Sequence, residues 1–130
     1  MAMLNPPTIH QPAGLYSQAV ETTGPVRWLH CAGQVGVAPD GTVHDGFEAQ
    51  AEQAWTNLMA LLAAADMTRD NIVKVTHFLT RPADLAAYRG VVARFLGEAR
   101  PASTMLVIAA LARPNLLIEV EAIAANTASR

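Results

Sequence analysis

The elements legible along the chain run strand, strand, helix, strand, helix, strand, strand. That order predicts an α+β fold, a mixed sheet with two helices packed on one face. Three observations carry it. Apolar residues recur at helical spacing over 45–66 and again over 82–97. Runs rich in β-branched and other apolar residues occupy 72–80 and most of 100–125. Proline and glycine punctuate the joints, as in Gly24-Pro25, Pro39-Asp40-Gly41 and Arg113-Pro114-Asn115. A chain of 130 residues, 52% hydrophobic and 15% charged, has room for one core, so a single domain over 1–130 is expected. Its apolar fraction exceeds what so small a unit buries efficiently, and the uncovered face of the sheet points to association with further copies of the chain.

Each element has a local reason. Residues 1–15 hold Pro6, Pro7, Pro12 and Gly14 and read as an extended arm without regular structure. A weak strand signal over 16–22 ends at Gly24-Pro25, and a firmer one covers 26–32. Gly33 then permits a bulge. Asp45 and Glu48 have the spacing of a capping box, and Phe47, Ala51, Ala54, Trp55, Leu58, Leu61, Leu62 and Ala65 follow on one helical face. The next strand, 72–80, stops at Arg81-Pro82. Pro82 or Ala83 opens a second helix with the face Leu85, Tyr88, Val92 and Phe95, closed by Gly97. In the last strand, alternation puts Leu116, Ile118, Val120 and Ala122 on one face and Leu117, Glu119, Glu121 and Ile123 on the other.

Composition excludes several classes. A net charge of -2 provides no field for a phosphate backbone, so nucleic acid is an unfavoured partner. One cysteine, Cys31, fits a reducing compartment, and with no signal-like N-terminus or spanning apolar run the expectation is a cytoplasmic protein that avoids membranes. His10, His30, His44 and His77 lack metal-ligand spacing, and no phosphate-binding or nucleophile-elbow motif is present, so no metal or cofactor is expected. His77 reads as a core or interface residue with one hydrogen bond.

Glu119 and Glu121 carry the clearest chemical signal. Two carboxylates at i and i+2 on one strand face lie roughly 7 Å apart, close enough to interact in a cleft that excludes water, where one of them could trade protons near neutrality. A solvated edge strand is the plainer alternative. Gly33-Gln34 could offer backbone N–H groups to a ligand. Arg89, beside Tyr88 at the border of a packed helix face, and Arg100, before Pro101, are the candidates for gripping a carboxylate. Arg27, Arg69 and Arg94 read as plain surface.

Over nearly its whole length the chain resembles the RidA (YjgF-like) family of reactive-intermediate imine deaminases, also labelled L-PSP endoribonuclease-like. The segments that carry the likeness are Gly14-Leu15-Tyr16-Ser17-Gln18-Ala19, Ala32-Gly33-Gln34-Val35, Phe47 with Gln50, NIVKVTHF at 71–78, Arg100-Pro101-Ala102-Ser103-Thr104 and IEVEAIA at 118–124. The resemblance implies a chorismate-mutase-like subunit, a homotrimeric barrel, ligand clefts between subunits, and hydrolysis of enamines and imines to a carbonyl compound and ammonia. It places the family's glutamate on Glu119, its N-terminal tyrosine on Tyr16 and its cleft glycine on Gly33. The family's carboxylate-gripping arginine falls on Ser103 and its cysteine on Met105.

The expectation is therefore a RidA-like hydrolase acting on a small imine or enamine other than the usual 2-aminoacrylate. Glu119 would be catalytic, and Tyr16, Gly33, Gln34, Arg89, Ser103, Thr104 and Met105 would bind substrate. A non-catalytic small-molecule-binding trimer and an endoribonuclease are the alternatives.

Overall fold

The computed structural model describes residues 1–126. Its main sheet is built from β3 (Arg27–Val35), β4 (Ile72–Leu79), β5 (Ala102–Val107) and β6 (Ile118–Asn126), in the order β3-β6-β4-β5. β6 runs antiparallel to both neighbours, and β4 and β5 are parallel, joined across α2 (Leu85–Leu96). Both α1 (Phe47–Ala64) and α2 pack on one face, where Trp55, Leu58 and Leu62 of α1 and Tyr88, Val91 and Leu96 of α2 meet Val75, Ile118, Val120 and Ala124 of the sheet. The mixed α+β architecture is the one the pattern of elements calls for, and β6 keeps the expected parity: Ile118, Val120 and Ala122 are buried, whereas Glu121 is exposed.

Three local readings change. The proline-rich arm contains a short strand, β1 (Ala2–Leu4), antiparallel to β2 (Ala19–Glu21); it ends before Pro6 and Pro7, which have no N–H to give to a ladder. The expected capping box of α1 does not form. Gly46, at φ 83, takes the N-cap position with no side-chain cap, which leaves Asp45 outside the helix. Pro82 opens a 3-10 turn over Pro82–Asp84, and α2 begins only at Leu85, ending at Gly97 with φ 55 as expected.

Two connections set up the site. Ser17 donates its backbone N–H to Pro101 O at 3.0 Å and its hydroxyl to Arg100 O, tying the arm beside the start of β5. Buried Gln50 donates to the carbonyls of His44 and Asn115 and accepts from the N–H of Leu117 at 2.8 Å, fixing the approach to β6. A polar side chain in the middle of an apolar helix face is affordable only when it is saturated in this way.

Candidate functional site

The arm, one edge of α2 and β5 line a cleft of about 580 Å³. Tyr16, held by the tie at Ser17, forms its mouth together with Gly14; Val92 and Leu96 supply an apolar wall, and Arg89, His77, Ser103 and Met105 complete it. Arg89 is exposed and, among the described residues, has no hydrogen-bond or ion-pair partner. Arg100 is engaged elsewhere: its Nη1 donates to Gly97 O and Ala99 O, both at 2.7 Å, securing the chain that leaves α2. Of the two candidate arginines, Arg89 is thus the one on the cleft. Three further arginines also have structural work. Arg94 pairs with Glu52 at 2.7 Å, Arg69 donates to Phe95 O, and Arg27 donates to Ala65 O, so these three are not the unengaged surface residues their sequence setting suggests.

Behind Ser103 lies a buried polar file that composition does not announce. Ser103 Oγ is 3.0 Å from His77 Nε2, His77 Nδ1 is 2.6 Å from the Tyr88 hydroxyl, and Trp55 Nε1 donates to that hydroxyl at 3.1 Å. His77 therefore has two hydrogen bonds where one was expected. Burial, assisted by the charge of Lys74, pushes its pKa down to about 4, so the imidazole is neutral at physiological pH. Burial also raises the Tyr88 phenol well above its ordinary range. The available signal was chemical: Trp55 and Tyr88 stand on apolar helix faces, yet each carries one polar atom that must find a partner once buried.

Glu119 lies on the other side of the sheet. It is registered opposite Phe78 of β4 and Val35 of β3, whereas Ser103 is opposite Val75, a fully buried core residue. Paired residues on neighbouring strands share a face. Within one chain, then, Ser103, Met105 and His77 face the helices, while Glu119 faces away from them with Thr104 and Glu121. Thr104 does not join Ser103 in the cleft; its hydroxyl accepts from Lys74 Nζ at 2.6 Å on the open face.

Gly33 sits against Glu119. The ladder between β3 and β6 slips between Cys31 and Gln34, giving the bulge that glycine permits, and a Cβ on Gly33 would overlap the Glu119 carboxylate. The Gln34 side chain turns back to Ala32 O at 3.1 Å. Among the described residues the Glu119 carboxylate makes no hydrogen bond or ion pair. The sequence-derived residues thus divide: Tyr16, Arg89, Ser103 and Met105 line the cleft, and Gly33, Glu119 and Thr104 lie on the opposite face, while Gln34, registered opposite buried Val120 just past the bulge, joins neither group. Among the described residues, no group of three or more His, Cys, Asp or Glu side chains is arranged to hold a metal ion, and no helix is long and apolar enough to cross a membrane.

Comparison with known proteins gives one consistent answer. The family model described as Endoribonuclease L-PSP matches residues 8–126. A RutC family protein of Aquifex aeolicus is 41% identical over 81 residues, 62% of each chain. The 2-iminobutanoate/2-iminopropanoate deaminase of Dermatophagoides farinae is 31% identical over 123 residues, 93% of each chain. Among solved structures, the Rid-family protein YyfB of Yersinia pestis, described as of unknown function, superposes with a TM-score of 0.84 at 34% identity, covering 95% of this chain and 96% of its own.

Proposed function

The chain belongs to the endoribonuclease L-PSP family, and from that membership we propose that it is a RidA-like deaminase, hydrolysing a small imine or enamine to a carbonyl compound and ammonia. The site is shared between subunits of a homotrimer. The observation that carries the reading is the division of two groups that have no partner among the described residues: the Arg89 guanidinium on the cleft and the Glu119 carboxylate on the opposite face. Two complementary half-sites on opposite faces can meet only when one copy's open face approaches another copy's cleft. Trp28 and Leu106, exposed on the open face, supply apolar surface for that contact.

In the assembled site Arg89 attracts an anionic substrate, Ser103 donates a hydrogen bond, and Tyr16 and Met105 shape the pocket. Glu119 of the neighbouring copy takes a proton from water as its oxygen adds to the imine carbon, then returns a proton to nitrogen. In the resulting carbinolamine the hydroxyl gives up its proton, which the same carboxylate passes to the amino nitrogen; the C–N bond breaks as the carbonyl forms, and ammonia leaves. An enamine enters the same path after protonation at carbon. Gly33 leaves the space in which the Glu119 carboxylate lies.

The test is ammonia release from enzymatically generated 2-iminobutanoate and 2-aminoacrylate, with and without the protein. Acceleration is expected for at least one; none for either at excess protein would sink the deaminase reading. The neutral Ser103 hydroxyl favours a second reading, a non-catalytic binder of small molecules. A thermal-shift screen separates the two. Stabilisation by 2-oxo acids that disappears in Arg89→Ala supports the deaminase, and stabilisation by neutral metabolites alone supports the binder. Ribonuclease activity fits the site less well, because Arg81, Arg94 and Arg100 are committed to Asp84, Glu52 and backbone carbonyls rather than forming a basic groove. RNA cleavage by highly purified protein would reverse that order.

A further inference from the structure

Ser103 ends a line of polar groups that begins under α1. Trp55 Nε1 can only donate, and it does so to the Tyr88 oxygen at 3.1 Å. The Tyr88 hydroxyl meets His77 Nδ1 at 2.6 Å, and His77 Nε2 meets Ser103 Oγ at 3.0 Å. Trp55, Tyr88 and His77 are each at most 1% exposed, so water offers them no spare partner.

Two proton arrangements fit these distances. With the imidazole proton on Nδ1, the Tyr88 oxygen accepts twice and its own O–H lacks an acceptor among the described residues, which leaves a buried donor unpaired and is unfavourable. With the proton on Nε2, Tyr88 donates to Nδ1, His77 donates to Ser103, and every polar hydrogen along the line is used. The satisfied arrangement leaves one proton over, that of the Ser103 hydroxyl, which has no protein acceptor among the described residues and borders the cleft.

We propose that Trp55, Tyr88 and His77 form a one-way donor relay that commits Ser103 to donating into the cleft, so that the site selects a ligand presenting an oxo or carboxylate oxygen there. Tyr88 and His77 are positioning residues acting through Ser103. The same tautomer removes the imidazole lone pair that would activate a serine nucleophile, so the His77–Ser103 pair is a recognition device and not an acyl-transfer dyad. For its ligand the proposal rests on the cleft reading above; for its proton arrangement it does not.

The experiment is nitrogen-15 NMR of histidine-labelled protein in which His10, His30 and His44 are replaced by Gln, leaving His77 as the one imidazole observed, combined with pyruvate titrations of the wild type, Tyr88→Phe and Ser103→Ala. The expected spectrum has a protonated Nε2 and an unprotonated Nδ1, with that preference relaxed in Tyr88→Phe. Pyruvate affinity should fall about five- to tenfold in each variant. A protonated Nδ1 in the otherwise unchanged protein would overturn the relay. The expected tautomer with equal pyruvate affinity in all three proteins would overturn the selection by Ser103. Failure of the wild type to bind pyruvate would count against the ligand assigned to the cleft, while the tautomer alone would still decide the relay.

Discussion

The helix-covered and open faces of the sheet both carry polar side chains, and they differ in where those side chains find partners. On the covered face Gln50 makes three hydrogen bonds within the chain, and Trp55, Tyr88, His77 and Ser103 are linked end to end. On the open face the Glu119 carboxylate has no hydrogen-bond or ion-pair partner among the described residues, although it lies tightly against Gly33. Groups saturated from within hold the fold and orient the cleft. A carboxylate left without a partner is free to act on something the single chain does not contain, a ligand or a second copy.

The difference can be broken from either side. Glu119→Gln should reduce deamination by a factor on the order of 10² to 10⁴, the usual share of a general acid–base. Its melting temperature should barely move, because nothing in the chain depends on that charge; steady-state ammonia release and thermal melts check the two halves. Trp55→Ala should do the reverse in kind, destabilising the fold by about 3–5 kcal/mol through a cavity beneath both helices and the loss of the first donor of the relay. Urea unfolding measures it, and a loss below about 1 kcal/mol would mean the relay is not a structural unit.

A pH titration probes the covered face alone. His77 has a pKa of about 4 in the fold against an ordinary 6.5. Between those values the unfolded chain binds a proton that the folded one refuses, so stability should decline as pH drops from 6.5 towards 4, by up to about 3 kcal/mol, with no further loss from this group below that. His77→Gln should flatten that slope. Gly33→Ala is the gentler probe of the open face. The new Cβ must displace the Glu119 carboxylate, at about 1–3 kcal/mol of strain, and should lower activity more than stability.

How much of this was legible in the sequence follows the range of each signal. The period-2 alternation of β6 separates Glu119 from Val120 without any structure, and the apolar spacing locates α1 and α2. The start of α1 was misread because Asp45 and Glu48 have the right spacing, while Gly46, with its positive φ, takes the cap. Which face of β5 matches which face of β6 is a matter of register through β4, set by pairings such as Val75 with Ser103 and Phe78 with Glu119, and no local pattern encodes it. For the same reason Ser103 and Glu119, the two most informative residues of the terminal stretch, could not be seen to point in opposite directions. The relay stayed hidden because its members come from α1, α2 and two strands, and each alone looks like ordinary core.

The claim that joins these observations is that the site takes Arg89 from one copy and Glu119 from another. Mixing tests it most directly: Arg89→Ala and Glu119→Gln, each impaired alone, are unfolded together, refolded as mixed oligomers and assayed for ammonia release. A shared site predicts recovery, with about a quarter of the sites in a random equal mixture intact. Activity no higher than the average of the two separate variants would contradict it and return both residues to a single chain.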